Sequence, residues 1–392
     1  DDPGIGHTFL REGEDPYDET TWAWTPADEW FVDVFLPKAK SLGLRVMLDG
    51  VWNHVGLDHF AFQDVRIRGK DSAFADWFEV VFDEEGALIG WQGWSRVNGS
   101  LPEFRHVGDD IAAGPKAHIM AVTRRWMDPN GDGDPSDGID GWRLDVAGEI
   151  GAGFWGDWRS LVKSINPEAL IVAEIWHDAD EMLSDKAFDA QMNYPFAYVI
   201  ADWLAIGDAD IRNNARVAAN RLGRVFHHGA EVDLVQLNLM GSHDTERLAA
   251  VAAMVASPGA VMMYNGDEYA LPGADDPDNR RPIPWGHFSA SQLEMRWAIS
   301  RLLRWRDDDV VGDVLRFGDV AFEACGDTSL LITRTFEGVQ VRVVIAPEHD
   351  MLADPEAIEL DLPGWDRAHE TERKLMAGLS DAPLQVRVYR RR

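Results

Sequence analysis

The sequence contains a single cysteine, Cys325, in 392 residues. An internal disulfide is therefore excluded, and a cysteine-ligated zinc site is not indicated. Positive charge is also scarce, because 37 Lys and Arg stand against 68 Asp and Glu and the formal net charge is −31. Such a surface repels nucleic acids and anionic membranes, so we predict neither as a partner and favour a neutral substrate.

Long apolar segments are nearly absent. The one long uncharged run covers residues 248–265, and Ser257-Pro258-Gly259 divides it into a helix-like half and a strand-like half. We therefore predict a buried helix, a turn and a strand there, rather than a membrane span. Residues 1–20 are polar and show no signal segment.

Short apolar strands recur along the chain, and helical periodicity separates them. The predicted strands cover residues 44–51, 139–147, 170–176, 188–194, 232–241 and 259–268, and the predicted helices cover residues 26–43, 115–128 and 153–165. Alternation of this kind predicts a parallel sheet with both faces covered. We expect an α/β fold, a (β/α)8 TIM barrel that lacks its first strands, with the active site at the carboxyl ends of the strands.

Two further regions depart from this alternation. The stretch from about 54 to 115 is rich in Trp, Phe and Gly and is too long for an ordinary loop, so we predict an inserted subdomain within a catalytic domain of residues 1–312. From residue 313 to 392 the predicted strands follow one another without helices, and their sequences are VLRFGDVAFEA (314–324), SLLITRTF (329–336), VQVRVVIA, AIELDL and LQVRVYR. That pattern predicts a separate C-terminal all-β sandwich domain.

Charged side chains gather at the predicted strand ends. In GIDGWRLDVAGE, Arg143 and Asp145 are two residues apart and share one face of a strand. Taken alone, the pair is either structural or functional. Other strands also end in polar residues: Asp49, Asn53 and His54, then Glu174, then His243 and Asp244. A purely structural ring of like charges would repel itself, so the set favours a site.

The segments DGVWNH, GWRLDVAGE, AEIWH and GSHDTE resemble, in order, four motifs of the α-amylase family of retaining glycoside hydrolases. The resemblance is greatest to the branch of neopullulanases, cyclomaltodextrinases and maltogenic amylases. LPEFR (101–105), the pair Trp176-His177 and the segment FDAQMNYPF look like features of that branch.

The resemblance implies a role for each matching residue. Asp145 matches the nucleophile, Glu174 the general acid/base, and Asp244 the third carboxylate, which stabilises the transition state. Arg143 matches the arginine that keeps the nucleophile ionised and oriented. The other matching positions bind sugar hydroxyls or support the rim: His54, His243, Trp176, His177, Asp49 and Asn53. In the segment 273–285, Asp276 and Arg280 resemble a pair that holds a glucose unit beyond the cleavage point, with a solvated turn as the alternative.

The activity that the resemblance implies is hydrolysis of α-1,4 links, with α-1,6 links as a second target, in maltooligosaccharides, cyclodextrins, pullulan or starch. A transglycosylase acting on the same substrates and a non-catalytic amylase-like barrel are the alternatives. No cofactor is required for this chemistry. Four tryptophans are candidate sugar platforms, with core packing as the alternative: Trp91, Trp94, Trp176 and Trp285.

The loop DPNGDGDPSDGID (128–140) alternates oxygen-bearing side chains as calcium loops do. The candidate ligands are Asp128, Asn130, Asp132, Asp134 and Asp137, and either Asp137 or Asp140 is the candidate substitute for the bidentate glutamate that an EF-hand has and this loop lacks. Ile139 stands where an EF-hand has its bidentate glutamate. A structural Ca²⁺ and a solvated acidic loop are both consistent with this pattern.

Family members carry strands before DGVWNH, and a tyrosine that stacks on the sugar, that have no counterpart here. We therefore expect a truncated sequence. The oligomeric state stays open, with a dimer as one possibility for the intact protein. A cytoplasmic location is favoured, with secretion or a periplasmic location as the alternatives.

Overall fold

The computed structural model describes residues 10–183, 186–204, 214–245, 250–274, 276–309, 311–347, 365–371 and 384–391. Only the backbone is described for residues 346–347, 365–371 and 384–391. The chain divides into two compact units, Asp1–Ile175 with Glu181–Gln191, and Trp176–Asp180 with Met192–Arg392.

The strands of the described residues are, in chain order, β1 Met47–Gly50, β2 Val80–Phe82, β3 Leu88–Trp91, β4 His106–Val107, β5 Asp110–Ile111, β6 Gly141–Leu144, β7 Leu170–Ala173, β8 Ala190–Asn193, β9 Leu237–Asn238, β10 Ala260–Val261, β11 Asp319–Cys325, β12 Ser329–Phe336, β13 Val339–Pro347, β14 Trp365–Thr371 and β15 Leu384–Arg391.

The α-helices of the described residues are α1 Pro26–Trp30, α2 Leu36–Ser41, α3 Phe60–Arg68, α4 Ala113–Met127, α5 Ala152–Ile165, α6 Tyr194–Trp203, α7 Ala215–Val225, α8 Ala230–Asp233, α9 Val251–Ala256, α10 Ala290–Leu303 and α11 Gly312–Phe317. A π-helical turn, Phe31–Phe35, joins α1 to α2. The helices predicted over 26–43, 115–128 and 153–165 are therefore confirmed.

The first unit contains a parallel sheet in the order β1, β6, β7 and the beginning of β8. Helix α5 connects β6 to β7 and buries one face of aromatic side chains, including Trp155 and Trp158. The indole nitrogen of Trp158 donates a 2.9 Å hydrogen bond to Thr123 in α4. Burying such large rings supplies much of the hydrophobic stabilisation of this unit.

The segment predicted as an inserted subdomain is built from short elements. It contains α3, the β2–β3 hairpin and the β4–β5 hairpin. The LPEFR segment crosses to the segment that follows β1, because the N–H of Phe104 donates to the carbonyl of Asn53 at 3.0 Å and the N–H of Val55 donates to the carbonyl of Pro102, also at 3.0 Å.

The second unit contains parallel strands of its own, in the order of the end of β8, β9 and β10. Two predictions need correction here. Residues 230–233 form helix α8, so the strand predicted from residue 232 begins only at Leu237. The strand predicted over 259–268 is limited to Ala260–Val261 and is followed by a 3-10 turn, Asp267–Tyr269. The helix, turn and strand predicted within 248–265 are confirmed by α9 and β10.

The C-terminal part of the second unit is an antiparallel sheet in the order β11-β12-β13-β15-β14. The strand predicted from Val314 is wrong at its start, because α11 extends to Phe317 and β11 begins at Asp319. In the described residues this part is a single sheet rather than two packed sheets. A predicted strand, AIELDL, lies outside the described residues. Arg334 of β12 is fully buried and donates to the carbonyls of Gly318 and Ala256.

Among the residues that the structure describes, no helix is both long enough and apolar enough to span a bilayer.

Candidate active site

The two principal carboxylates follow neighbouring strands at the same level. Leu144 of β6 pairs with Ala173 of β7, so Asp145 and Glu174 are the first residues beyond the paired ends. The N–H of Glu174 donates to the carbonyl of Leu144 at 2.9 Å, which extends the ladder by one residue. Neighbouring strands lie about 4.8 Å apart, so this register brings the two carboxyl groups close together.

Gly141 permits this pairing. A Cβ atom at this position would lie 2.3 Å from the carbonyl oxygen of Leu170 in β7. Any larger residue would therefore push β6 away from β7 at the start of the strand. The glycine in DGWRLD is required by this close approach, two residues before Arg143.

The Arg143 guanidinium joins three carboxylates. Its Nη1 donates to Asp145 Oδ1 at 2.7 Å and to Asp49 Oδ1 and Oδ2 at 2.8 and 2.9 Å. Its Nη2 lies 2.9 Å from Glu174 Oε2. Asp49 is opposite Arg143 in the β1–β6 register, which explains the contact. Burial opposes the charge, but the carboxylates, Glu174 and Asp49 foremost, outweigh it and raise the pKa of Arg143 above its usual value.

The residue after Asp145 has an unusual backbone. Val146 adopts φ 39° and ψ 44°, a left-handed conformation that β-branched residues rarely take. In this conformation its N–H donates to Glu174 Oε2 at 2.9 Å. Glu174, only 3% exposed, therefore accepts from both a backbone N–H and a guanidinium. Strain of this kind persists where the surrounding structure imposes it, often at functional sites.

His54 and Asn53 lie beside Asp145. His54 Nε2 is 3.8 Å from Asp145 Oδ2, and the His54 ring stacks on Trp94 at 5.5 Å. Burial lowers the pKa of His54, against the opposing effect of Asp145, so the ring is neutral at pH 7. The buried Asn53 contacts His106 Nε2 through Oδ1 at 3.2 Å.

In the second unit, a turn after β9 holds Asp244. Its N–H donates to Ser242 Oγ at 3.1 Å, and the N–H of Ser242 donates to Thr245 Oγ1 at 2.9 Å. The Asp244 carboxylate lies 3.0 Å from His243 Nε2 and accepts from Arg280 Nη2, also at 3.0 Å.

The predicted pair Asp276 and Arg280 forms in the structure. Arg280 Nε donates to Asp276 Oδ1 at 2.5 Å while its other nitrogen contacts Asp244. The arginine therefore links the residue predicted to bind a distant glucose unit to the third predicted carboxylate. The second unit thus brings His243, Asp244, Asp276 and Arg280 together.

Trp176 has the geometry of an exposed platform. It is 41% exposed and stacks on Tyr194 with a 4.5 Å separation and an angle of 9° between the rings. His177 beside it is exposed. Of the other candidate platforms, Trp91 packs against Phe62, and Trp285 is 69% exposed.

The acidic loop of residues 128–137 has features that suit a cation. Asp128 Oδ1 and Asp137 Oδ1 are buried and have no hydrogen-bond partner in the described structure. Burial, with Asp128 and Asp132 nearby, raises the pKa of Asp137. Other oxygens are already used, since Asn130, Asp132 and Asp134 accept backbone N–H groups in the loop. The donor set fits Ca²⁺ chemically.

Sequence reasoning missed several contacts of this site. Glu103 and His106 both contact Asn53, at 3.5 and 3.2 Å. Glu103 lies within the LPEFR segment, whose resemblance to the branch is visible in the sequence, but its contact with Asn53 is not. Tyr194, which supports Trp176, lies in the FDAQMNYPF segment. Its role depends on a contact that the sequence does not reveal.

Residues 116–296 match the family model described as the alpha amylase catalytic domain. The chain is 36% identical to neopullulanase 2 of Thermoactinomyces vulgaris over 263 residues, which cover 63% of this chain and 42% of that protein. It is 33% identical to a cyclomaltodextrinase of Thermoanaerobacter pseudethanolicus over 71% of this chain and 49% of the relative. The chain thus spans about half the length of the curated relatives it matches.

A solved structure, the debranching enzyme from Nostoc punctiforme, aligns with a TM-score of 0.71 and 29% identity, covering 93% of this chain and 77% of that one. These comparisons confirm the predicted fold class, a (β/α)8 barrel with a C-terminal all-β domain.

Proposed function

Because the chain belongs to the α-amylase family of glycoside hydrolases, we propose that it cleaves α-glucosidic bonds with retention of configuration. The observation that carries this proposal is the convergence of Asp145 and Glu174 on one guanidinium, at the ends of neighbouring strands. Retaining enzymes need two carboxyl groups about 5–5.5 Å apart, a spacing that adjacent strands supply.

In the proposed reaction, Asp145 attacks the anomeric carbon of a glucosyl unit while Glu174 donates its proton to the departing glycosidic oxygen. The glycosidic bond breaks and an ester forms between Asp145 and the sugar. Glu174, now a carboxylate, removes a proton from water, and the resulting attack on the anomeric carbon releases Asp145 and restores the protonated acid. Two inversions give net retention.

The remaining residues of the proposed site orient the carboxylates and the sugar and stabilise the transition state. Arg143 holds Asp145 ionised and aimed, because a guanidinium is always charged and its planar fork fixes the carboxylate. The neutral His54 donates a hydrogen bond to a hydroxyl of the reacting sugar. The resemblance assigns Asp244 to the hydroxyl groups that bear charge in the transition state, with His243 and Arg280 fixing its carboxylate.

The substrates we propose are maltooligosaccharides, cyclodextrins, pullulan and starch. One relative is named for pullulan and another for cyclomaltodextrin. A solved structure with 29% identity is named a debranching enzyme, which favours α-1,6 links as a second target. A product profile on γ-cyclodextrin, pullulan and soluble starch assigns the preference.

The test of the proposal is the variant Glu174→Gln. It should lose nearly all hydrolysis of maltotriose while it still binds the sugar, and the wild-type chain should release the α-anomer first, as seen by proton NMR. Glu149→Gln, which changes an exposed glutamate of the same unit, is the control and should keep its activity. Comparable turnover in Glu174→Gln, or first release of the β-anomer, would refute the assignment.

Transglycosylation is a second candidate for the same site. In it a sugar hydroxyl replaces water in the second step, and the buried His54, which stacks on the partly exposed Trp94, favours exclusion of water. Chromatography of products at high maltose concentration separates the two reactions, because only transfer gives chains longer than the substrate.

We also propose that the loop of residues 128–137 binds a structural Ca²⁺ ion. The two buried oxygens without partners, Asp128 Oδ1 and Asp137 Oδ1, support this site. Calorimetry on chelator-treated protein should show calcium binding that Asp137→Asn weakens. If no heat is observed, calcium does not bind and the segment is a solvated acidic loop.

A further inference from the structure

A second group of ligand-type side chains lies in the second unit. Asp178 and Asp180 belong to the segment 176–180, and His227 and His228 occupy the turn between α7 and α8. One ligand atom from each of the four residues lies within 4.8 Å of every other. Within the part of the chain that the structure describes, it is the one such group of three or more His, Cys, Asp or Glu.

The spacing suits a small tetrahedral ion. His228 Nε2 lies 3.0 Å from Asp178 Oδ1 and 3.2 Å from Asp180 Oδ1, and His227 Nε2 lies 3.2 Å from Asp180 Oδ2. A zinc ion with bonds of about 2.0–2.1 Å holds neighbouring ligand atoms roughly 3.3 Å apart. The four groups therefore need only small movements to enclose such an ion.

A buried carboxylate orients the central histidine. Asp233, 9% exposed, accepts from His228 Nδ1 at 3.1 Å, and its other oxygen accepts the N–H of Gly229 at 3.2 Å. This fixes the ring so that Nε2 points at the two aspartates. Metal-binding histidines commonly donate their second N–H to a carboxylate in this way, whereas a surface ion pair has no need of it.

We propose that Asp178, Asp180, His227 and His228 form a binding site for a divalent transition-metal ion of the zinc class. Two imidazoles and two carboxylates match the ligands of zinc and its neighbours, while Ca²⁺ prefers six to eight oxygens. The ion takes the place of the proton on His228 Nε2, which leaves to solvent. This site is distinct from the acidic loop of residues 128–137.

The ion would fix the segment that carries Trp176. Residues 176–180 come directly after Glu174 and Ile175, and Trp176 is the exposed platform stacked on Tyr194. Through Asp178 and Asp180, the metal ties this segment to the turn at 227–228. We assign the ion a structural role, because all four positions are supplied by the protein and none is left for a substrate.

The test is calorimetric titration of the chelator-treated 392-residue chain with ZnCl2, with Co²⁺ absorption as a second readout. We expect one zinc ion per chain, a tetrahedral Co²⁺ spectrum and a higher melting temperature with zinc. His227→Gln and Asp180→Asn change half-exposed side chains, so the fold should survive and zinc affinity should fall at least tenfold. Asp233→Asn should weaken zinc binding by about 10- to 100-fold.

Two controls are matched by residue type. His287→Gln and Asp309→Asn replace exposed residues of the same unit and should leave zinc affinity unchanged. The proposal is overturned if micromolar zinc gives neither heat nor uptake. It is equally overturned if His227→Gln and Asp180→Asn bind zinc as the two controls do, because the ion then lies elsewhere. No substrate is used, so the outcome is independent of the proposed hydrolase function.

Discussion

Arg143→Lys tests the arrangement at the centre of the proposed active site. The guanidinium contacts Asp145 and Asp49 through Nη1 and Glu174 through Nη2. A lysine ammonium is a single point of charge without the planar fork, so it cannot hold these carboxylates in the same positions. We expect the Asp145 carboxylate to lose its orientation toward the anomeric carbon, while the net charge of the site stays the same.

The hydrogen bonds of Arg143 determine how much transition-state stabilisation the Arg143→Lys variant loses. Each hydrogen bond to a charged group contributes about 1.5–3 kcal/mol when buried. The side chains of Arg143 and Glu174 are 15% and 3% exposed. The side chain of Asp49 is 50% exposed, so solvent screens the contact between Arg143 and Asp49 and that contact contributes little. We therefore expect a loss of about 2–4 kcal/mol in transition-state stabilisation, which lowers kcat/KM roughly 30- to 1,000-fold.

The assay is steady-state hydrolysis of maltotriose. The loss should lie mainly in kcat, because the orientation of the Asp145 carboxylate affects the transition state more than the bound substrate. Arg68→Lys changes an exposed arginine that pairs with Asp64 in the same unit, and it should retain wild-type kcat/KM. If Arg143→Lys keeps kcat within threefold of the wild type, the reasoning is wrong and the guanidinium is only a structural counter-ion.

Three other perturbations test the stability and the binding surface. Burial lowers the pKa of His59 to about 3 and also lowers that of His118, so both rings are neutral when folded. For His59 this stabilisation is present above the unfolded pKa of about 6.5 and is lost as pH falls toward 3, by up to about 1.4 kcal/mol per pH unit. His118 should add a loss in the same direction. Urea unfolding at pH 7, 5 and 4 should show the combined decrease in the free energy of unfolding. Arg334→Met leaves buried backbone carbonyls without their donor and should lower the free energy of unfolding by about 2–4 kcal/mol, measured in urea. Trp176→Ala should raise KM for maltotriose roughly tenfold with kcat little changed, because a stacked ring contributes about 0.5–1.5 kcal/mol beyond its buried area. The control Tyr194→Phe keeps the ring that stacks on Trp176 and should leave KM unchanged.

The strand ends could be predicted because side-chain alternation and the polar residues that end each strand are set by residues that are neighbours in the sequence. The alternation predicts that Arg143 and Asp145 point the same way, and in the structure Arg143 of β6 donates to Asp145, one residue beyond β6, at 2.7 Å. The strand over 329–336 also begins and ends as its apolar pattern predicts. These features depend on residues close together along the chain.

Features set by distant contacts were not predictable. Residues 230–233 are apolar and acidic in a pattern that also suits a strand, but a helical turn forms there. The contact between Arg143 and Glu174 joins a residue of β6 to the residue that follows β7. The group of Asp178, Asp180 and His228 joins segments separated by about fifty residues. Register and loop conformation decide such contacts, and neither is encoded by local periodicity.

The formation of a glycosyl ester on Asp145 is the most direct test of the central claim. In Glu174→Gln, α-maltosyl fluoride should still react, because fluoride leaves without a proton, but the ester should persist since no base activates water. Mass spectrometry of the digested protein should find a maltosyl group on the peptide that contains Asp145. A label on another residue, or turnover of the fluoride to β-maltose without any label, would contradict the account.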